Sequence, residues 1–99
     1  MSAPTVGEYL RAARLRLTPR ASHDAIGQRI QVARAYIEAV EAGRKPPAPG
    51  RLRAWCDAVA CDYDEAAMLA GQIPDDIQAW ILADRANLAA VRRLMEGVT

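Results

Sequence analysis

No stretch of this 99-residue chain approaches the ~20 consecutive apolar residues that a membrane-crossing helix requires. The amino terminus, MSAPTVGEY, has neither the basic opening nor the apolar centre of a secretion signal. Together these absences imply a cytoplasmic chain with no membrane partner. Alternating runs of β-branched residues are also missing, so sheet-based folds fall away and an all-α fold is expected. Only two cysteines occur, Cys56 and Cys61, five positions apart with no histidine nearby, a spacing that suits neither a zinc knuckle nor a redox CxxC pair. They read as buried thiols in a reducing compartment. The single histidine, His23, has no nucleophile or acid partner in the pattern, and there is no metal-ligand cluster or glycine-rich phosphate loop. No metal and no cofactor is expected, and the chain is not expected to be an enzyme.

Charge is present in both signs, and its arrangement says more than the formal net of +1. Through Arg53, ten Arg or Lys stand against four Asp or Glu, a balance of +6; from Ala54 onward three arginines stand against eight acids, a balance of −5. A basic half suits a surface that faces phosphates, and an acidic half points away from them. The alternative, a scatter of solvated charge, is disfavoured because the basic half coincides with the motif that follows.

Helical stretches succeed one another between glycine and proline punctuation. The first covers about Val6 to Leu15 or Arg16, with Val6, Leu10 and Ala13 inward. Ser22 is placed to cap a second, and Asp24 suits its positive end. Ile26 and Ile30 share one face of that helix, with Gly27 leaving room for a neighbour. Gln31-Val32-Ala33 then makes a bend, with Val32 as its apolar plug. Ile37 and Val40 mark the buried side of a third helix, while Arg34, Ala35, Glu38 and Ala39 face away. Two helices pinned in this way form a helix-turn-helix, whose second helix can enter a DNA major groove. Beyond Gly43, the stretch Arg44 to Gly50 is a stiff, basic, proline-rich connection. A fourth helix, about Gly50 to Ala60, turns Leu52, Trp55, Cys56 and Val59 inward. In a fifth, Asp62 and Glu65 have capping-box spacing and Ala66 and Leu69 pack inward, with Met68 a further candidate.

Several of these stretches carry a likeness. Val6-Gly7-Glu8-Tyr9-Leu10-Arg11 with Arg14, Ser22-His23, Val32-Ala33-Arg34-Ala35-Tyr36-Ile37, and Val40-Glu41-Ala42-Gly43 with Pro46 and Pro47 resemble the Cro/lambda-repressor type of helix-turn-helix regulator, the xenobiotic-response-element family. Leu52-Arg53-Ala54-Trp55, Asp62-Tyr63-Asp64-Glu65 and Leu69-Ala70-Gly71 resemble its fourth and fifth helices. The resemblance implies a five-helix lambda-repressor-like DNA-binding domain over residues 5–71, followed by a C-terminal helical extension over 72–99. It also implies a structural ion pair between Arg14 and Glu41, where spacing alone leaves Arg14 equally readable as a solvated charge. The chain departs from the family pattern at His23, Gly27 and Gln31, where Gln, Ala and Gly are usual. A glutamine at the last position must adopt left-handed backbone at some cost, or reshape the turn.

Double-stranded DNA is the expected partner. Arg34 is the candidate base reader, because a guanidinium can bond both major-groove acceptors of guanine. Ala35 and Ala39 suit thymine methyl groups, and Glu38 suits either a cytosine amine or the orientation of Arg34. Backbone contacts are expected from Ser22, His23, Tyr36, Arg44, Lys45 and Arg51, with His23 equally readable as an exposed polar residue and Tyr36 as the edge of the core. In the extension, Asp75 to Ala83 and Arg85 to Glu96 read as two helices with Asp84 capping the second, or as one bent helix. Its apolar series places Trp80 and Ile81 against helices one and five, and Leu88, Val91 and Leu94 at a homodimer interface; the competing arrangement folds the whole tail back as core. These features describe a dimeric transcriptional regulator, a repressor on a palindromic operator. The competing function is a protein-interaction adaptor, antitoxin-like or antirepressor-like, with an unidentified protein partner, supported by the alanine-rich recognition face.

Overall fold

The computed structural model describes residues 2–98, and all regular structure among them is helical. Five helices, α1 (Val6–Arg16), α2 (His23–Ile30), α3 (Arg34–Glu41), α4 (Pro49–Val59) and α5 (Tyr63–Leu69), surround one core. Two more, α6 (Asp75–Ala83) and α7 (Arg85–Val98), pack on each other. Of the extension expected over 72–99, Thr99 lies outside the described residues.

Local chemistry sets the helix ends. Thr5 Oγ1 accepts the Glu8 amide at 3.1 Å, and Glu8 Oε1 accepts the Thr5 amide at 2.8 Å, a capping box that starts α1. Ser22 Oγ accepts the Ala25 amide at 3.0 Å and starts α2. Pro49 opens α4, where its missing N–H leaves no gap in the ladder. The capping box expected at α5 does not form. Asp62 accepts from the Asp64 amide at 3.0 Å, while its own N–H, which Glu65 would have to bind, donates to the Tyr9 hydroxyl at 3.3 Å. Asp84 caps α7 by accepting the Ala86 amide at 2.8 Å, so the extension is two helices and not one bent one.

Leu10 and Ala13 of α1, Ile26 and Ile30 of α2, Ile37 and Val40 of α3, Leu52, Trp55 and Val59 of α4, and Ala66 and Ala67 of α5 make the core. Met68 is 73% exposed, contrary to expectation. With Ala66 and Ala67 both inward, a residue one further step of ~100° around the helix falls on the outer side. Gly7 lets α1 lie directly on the end of α3. A Cβ built there would stand 2.8 Å from the Glu41 carbonyl oxygen and closer still to that of Val40.

The hairpin does not fold back onto this core. No residue of α6 or α7 is buried. Trp80 is 53% exposed, which corrects the expected packing of Trp80 and Ile81 against helices one and five. Ile81 is half-buried beside Pro49 and the Gly71 to Ile73 connection. The cause lies in how α6 begins. Gln72 Nε2 donates to the Pro47 carbonyl at 2.8 Å, Pro74 is buried, and the Asp75 amide donates to the Tyr63 hydroxyl at 3.1 Å. Arg53 pairs with Asp75 and Asp76 and lies over the Tyr63 ring at 4.2 Å. These polar pins hold the first turn of α6 against α4 and α5, and the rest of the hairpin extends from there. The radius of gyration is accordingly 15.7 Å, against about 13 Å for a compact chain of this length.

Substituting Gly7→Ala is expected to lower stability by about 1–3 kcal/mol through overpacking against α3 backbone. Gly50→Ala, where nothing lies within 4 Å of the added carbon, is expected to be neutral or stabilising by up to about 1 kcal/mol. Urea unfolding of the two variants compares them directly.

Candidate nucleic-acid interface

The turn between α2 and α3 rests on two backbone facts. Gln31 adopts left-handed geometry, φ 62° and ψ 48°, and the amides of Gln31 and Val32 both return to the Gly27 carbonyl, the latter at 2.8 Å. A non-glycine residue pays roughly 1 kcal/mol or more for this conformation, so the turn is held by its surroundings. Val32 packs against the core, and Arg51 Nη1 donates to the Ile30 carbonyl at 3.2 Å. At Gly27 an added Cβ would meet the Val32 carbonyl oxygen at 2.8 Å, so this glycine is what lets the turn close over α2.

Helix α3 is then held from below by Ile37 and Val40. Arg34 and Ala35 are exposed in its first turn, with Glu38 and Ala39 half-buried one turn later. No side chain caps α3 at Ala33. Arg34 Nε donates to Glu38 Oε1 at 2.7 Å, and its Nη1 lies 3.3 Å from Asp24 Oδ2. The hydrogen bond to Glu38, with the charges of Asp24 and Glu38, raises the Arg34 pKa further; the same bond holds Glu38 below the usual carboxylate range. Glu38 therefore buttresses Arg34. Asp24 as a second partner is a feature that sequence reasoning missed, since ten residues and a turn separate the two.

At the other end of α3 a buried cluster joins three helices. Arg14 Nε donates to Glu41 Oε2 at 2.8 Å and Arg14 Nη2 to Glu41 Oε1 at 2.9 Å, a two-pronged pair whose side chains are 9% and 4% exposed. Arg14 Nη1 also donates to the Ala21 carbonyl at 3.0 Å. His23 Nε2 sits 3.0 Å from Arg14 Nη2 and 3.1 Å from Glu41 Oε1, which engages that edge of the ring with the buried pair while 29% of the side chain stays exposed. The Glu41 hydrogen bond outweighs burial and raises the Arg14 pKa.

The remaining candidates surround α3. Ser22 is exposed at the head of α2, and Arg44 and Lys45 are exposed just past the end of α3. The Tyr36 ring tilts against Trp55 with centroids 6.0 Å apart, its hydroxyl accepts the Ala48 amide at 2.7 Å, and Lys45 Nζ lies 5.8 Å from its centroid. Tyr36 thus forms an edge of the core that supports the basic connection. Arg11, absent from the sequence-based candidates, shares a surface depression with His23, Glu38 and Arg44. On α7, well separated in sequence, Leu88 and Leu94 are 42% and 71% exposed and Val91 is half-buried.

A family model described as a helix-turn-helix domain matches residues 5–69. The chain belongs to the helix-turn-helix domain family. Membership points to DNA binding and through it to transcription regulation, and the family is typically non-enzymatic. No curated protein and no solved structure matches this helix-turn-helix chain. Among its described residues no helix is long and apolar enough to cross a membrane, and no group of His, Cys, Asp and Glu is placed to hold a metal ion.

The two arginine clusters of this domain should respond differently to deletion. Arg14→Ala strands Glu41 in a buried site and is expected to cost about 3–5 kcal/mol, and Arg14→Lys should rescue little because the fork is lost. Arg34→Ala, which breaks exposed and solvent-screened pairs, is expected to leave the unfolding midpoint close to that of the parent chain. Denaturant midpoints of the three variants test the contrast.

Proposed function

We propose that residues 5–71 are a Cro/lambda-repressor-like domain of five helices that reads double-stranded DNA with α3, and that residues 72–99 pair two such chains on a palindromic operator. The observation that carries the reading is the first turn of α3, where an exposed Arg34 is oriented by Glu38 through Nε. That bond leaves the terminal nitrogens to address guanine N7 and O6, with Asp24 yielding Nη1 on binding. Ala35 and Ala39 lie against thymine methyls. Ser22, Arg44, Lys45 and Arg51 contact phosphates, joined by the His23 amide at the head of α2 and by the proton that the Tyr36 hydroxyl retains. Such a protein works in the cytoplasm as a repressor, blocking polymerase by occupancy.

Dimerisation rests on the hairpin. The chain exposes 6861 Å², whereas a compact monomer of its mass would expose about 5,500 Å². The surplus, about 1,300 Å², exceeds the roughly 800 Å² that each partner of a standard interface buries. Leu88, Val91 and Leu94 centre that surface, and a two-fold pair would set two α3 helices about 34 Å apart, one DNA turn.

The exposed apolar hairpin and the alanine-rich outer face of α3 also support a second reading, a protein-interaction adaptor in which DNA reading is secondary. Fluorescence anisotropy across a salt series separates the two. If about six phosphates are neutralised, log affinity against log salt should have a slope of roughly −5, and Arg34→Ala should lose about 1–3 kcal/mol and relax the preference at one guanine per half-site. A flat titration would exclude DNA as the partner, and an unchanged base preference would remove Arg34 as the reader.

Sedimentation of the intact chain beside one ending at Gly71 tests the assembly. The intact chain should be dimeric at micromolar concentration and the shortened one monomeric; equal masses, or an intact monomer, would remove the dimer assignment.

A further inference from the structure

Helix α4 ends in a tight closure. Ala60 is left-handed, φ 57° and ψ 49°, and the Cys61 amide returns to the Cys56 carbonyl at 3.0 Å. In a helix stop of this kind the side chains four before and one beyond the left-handed residue meet on one side. Here both are cysteines. Covalent lengths of about 1.5, 1.2 and 1.5 Å on either side of that hydrogen bond limit the Cα separation to about 7 Å even if fully straightened. Normal bond angles bring it into the range of about 4.4–6.8 Å that disulfides span. Both thiols are free.

They differ in access and in acidity. Cys56 is fully buried and Cys61 half-buried. The hydrogen bond to Cys61 and burial push the Cys56 thiol up, while the hydrogen bond from Cys56, aided by Arg16, lowers the Cys61 thiol against opposing burial and the charges of Asp62 and Asp57. The accessible thiol is thus the more acidic of the two.

We propose that Cys56 and Cys61 are an oxidisable dithiol, which a peroxide converts to an intrachain disulfide at the corner between α4 and α5. The Cys61 thiolate attacks one peroxide oxygen and the O–O bond breaks; the departing oxygen takes up a proton to leave as water, and Cys61 becomes a sulfenic acid. Cys56 sulfur then attacks Cys61 sulfur, the S–O bond breaks, and the hydroxyl leaves as a second water with the Cys56 proton. Two thiols and one peroxide give one disulfide and two waters. Burial of Cys56 keeps it from other chains, so the reaction stays within one molecule. The site is independent of the DNA-reading surface, and its test does not depend on that reading.

The test uses the reduced full-length chain and hydrogen peroxide, with free thiols titrated after denaturation and mobility followed on non-reducing gels. Both thiols should be lost together, the product should remain a single chain, and dithiothreitol should restore both. In Cys61→Ser the remaining thiol should persist through the same exposure. Persistence of both thiols in the parent chain, disulfide-linked dimers, or sulfinic acid at Cys61 with Cys56 still free would each overturn the proposal.

Discussion

The orientation of α3 depends on the buried pair between Arg14 and Glu41. Removing two charges from water carries a penalty of several kcal/mol per ion, recovered only when geometry is good and the remaining donors are satisfied. Both conditions are met, because the fork of Arg14 is matched by both oxygens of Glu41 and its third nitrogen by the Ala21 carbonyl. Gly7 makes the match reachable by letting α1 lie on the end of α3. A hydrophobic contact of equal area would attract the helices without fixing their rotation. The two-pronged pair fixes it, and with it the direction in which Arg34 and Ala35 face.

Held at one end by Glu41 and at the other by the Gln31 turn, α3 places charged groups where solvent access keeps their pairing cheap to rearrange. Arg34, Asp24 and Glu38 are exposed or nearly so, and exposed pairs contribute little to stability and are screened by salt. In the proposed reading this favours exchange: Asp24 releases a guanidinium nitrogen to a competing acceptor while Glu38 keeps its bond to Nε. The buried cluster and the exposed one use the same residue types for opposite ends, one to fix a helix and the other to keep a side chain poised.

The helical plan was legible because it is local. Ile26, Ile30, Ile37 and Val40 recur at helical spacing and form the core, and Ser22, Asp84 and Gly43 act within a few residues of where they stand. Contacts between distant residues were not legible from spacing. Arg14 and Glu41 lie 27 positions apart, and it was a family likeness that paired them; no spacing rule links Arg34 to Asp24 or Arg53 to Asp75. Asp62 failed as a capping box because a hydroxyl from 53 residues away took its amide. Trp80 was misplaced for a related reason. An apolar stripe shows that something must cover it, and only the direction of the chain after Pro74 shows whether its own core is in reach.

That direction matters for any pairing of two chains. A flexible tether would let a second copy bind while leaving the distance between recognition helices undefined, so operator spacing would carry no selectivity. The start of α6 is not tethered in that way. Tyr63, Arg53 and the Pro47 carbonyl hold it through three separate polar contacts, and the Arg53 guanidinium stacked on the Tyr63 ring limits rotation about them. The hydrogen bond from Asn87 Nδ2 to the Trp80 carbonyl at 2.6 Å then ties α7 to α6 across their turn. Rigid attachment without burial is the combination a spacer needs. In the proposed dimer it keeps the apolar face of α7 available to a twin and makes the separation of the two α3 helices a property of the fold.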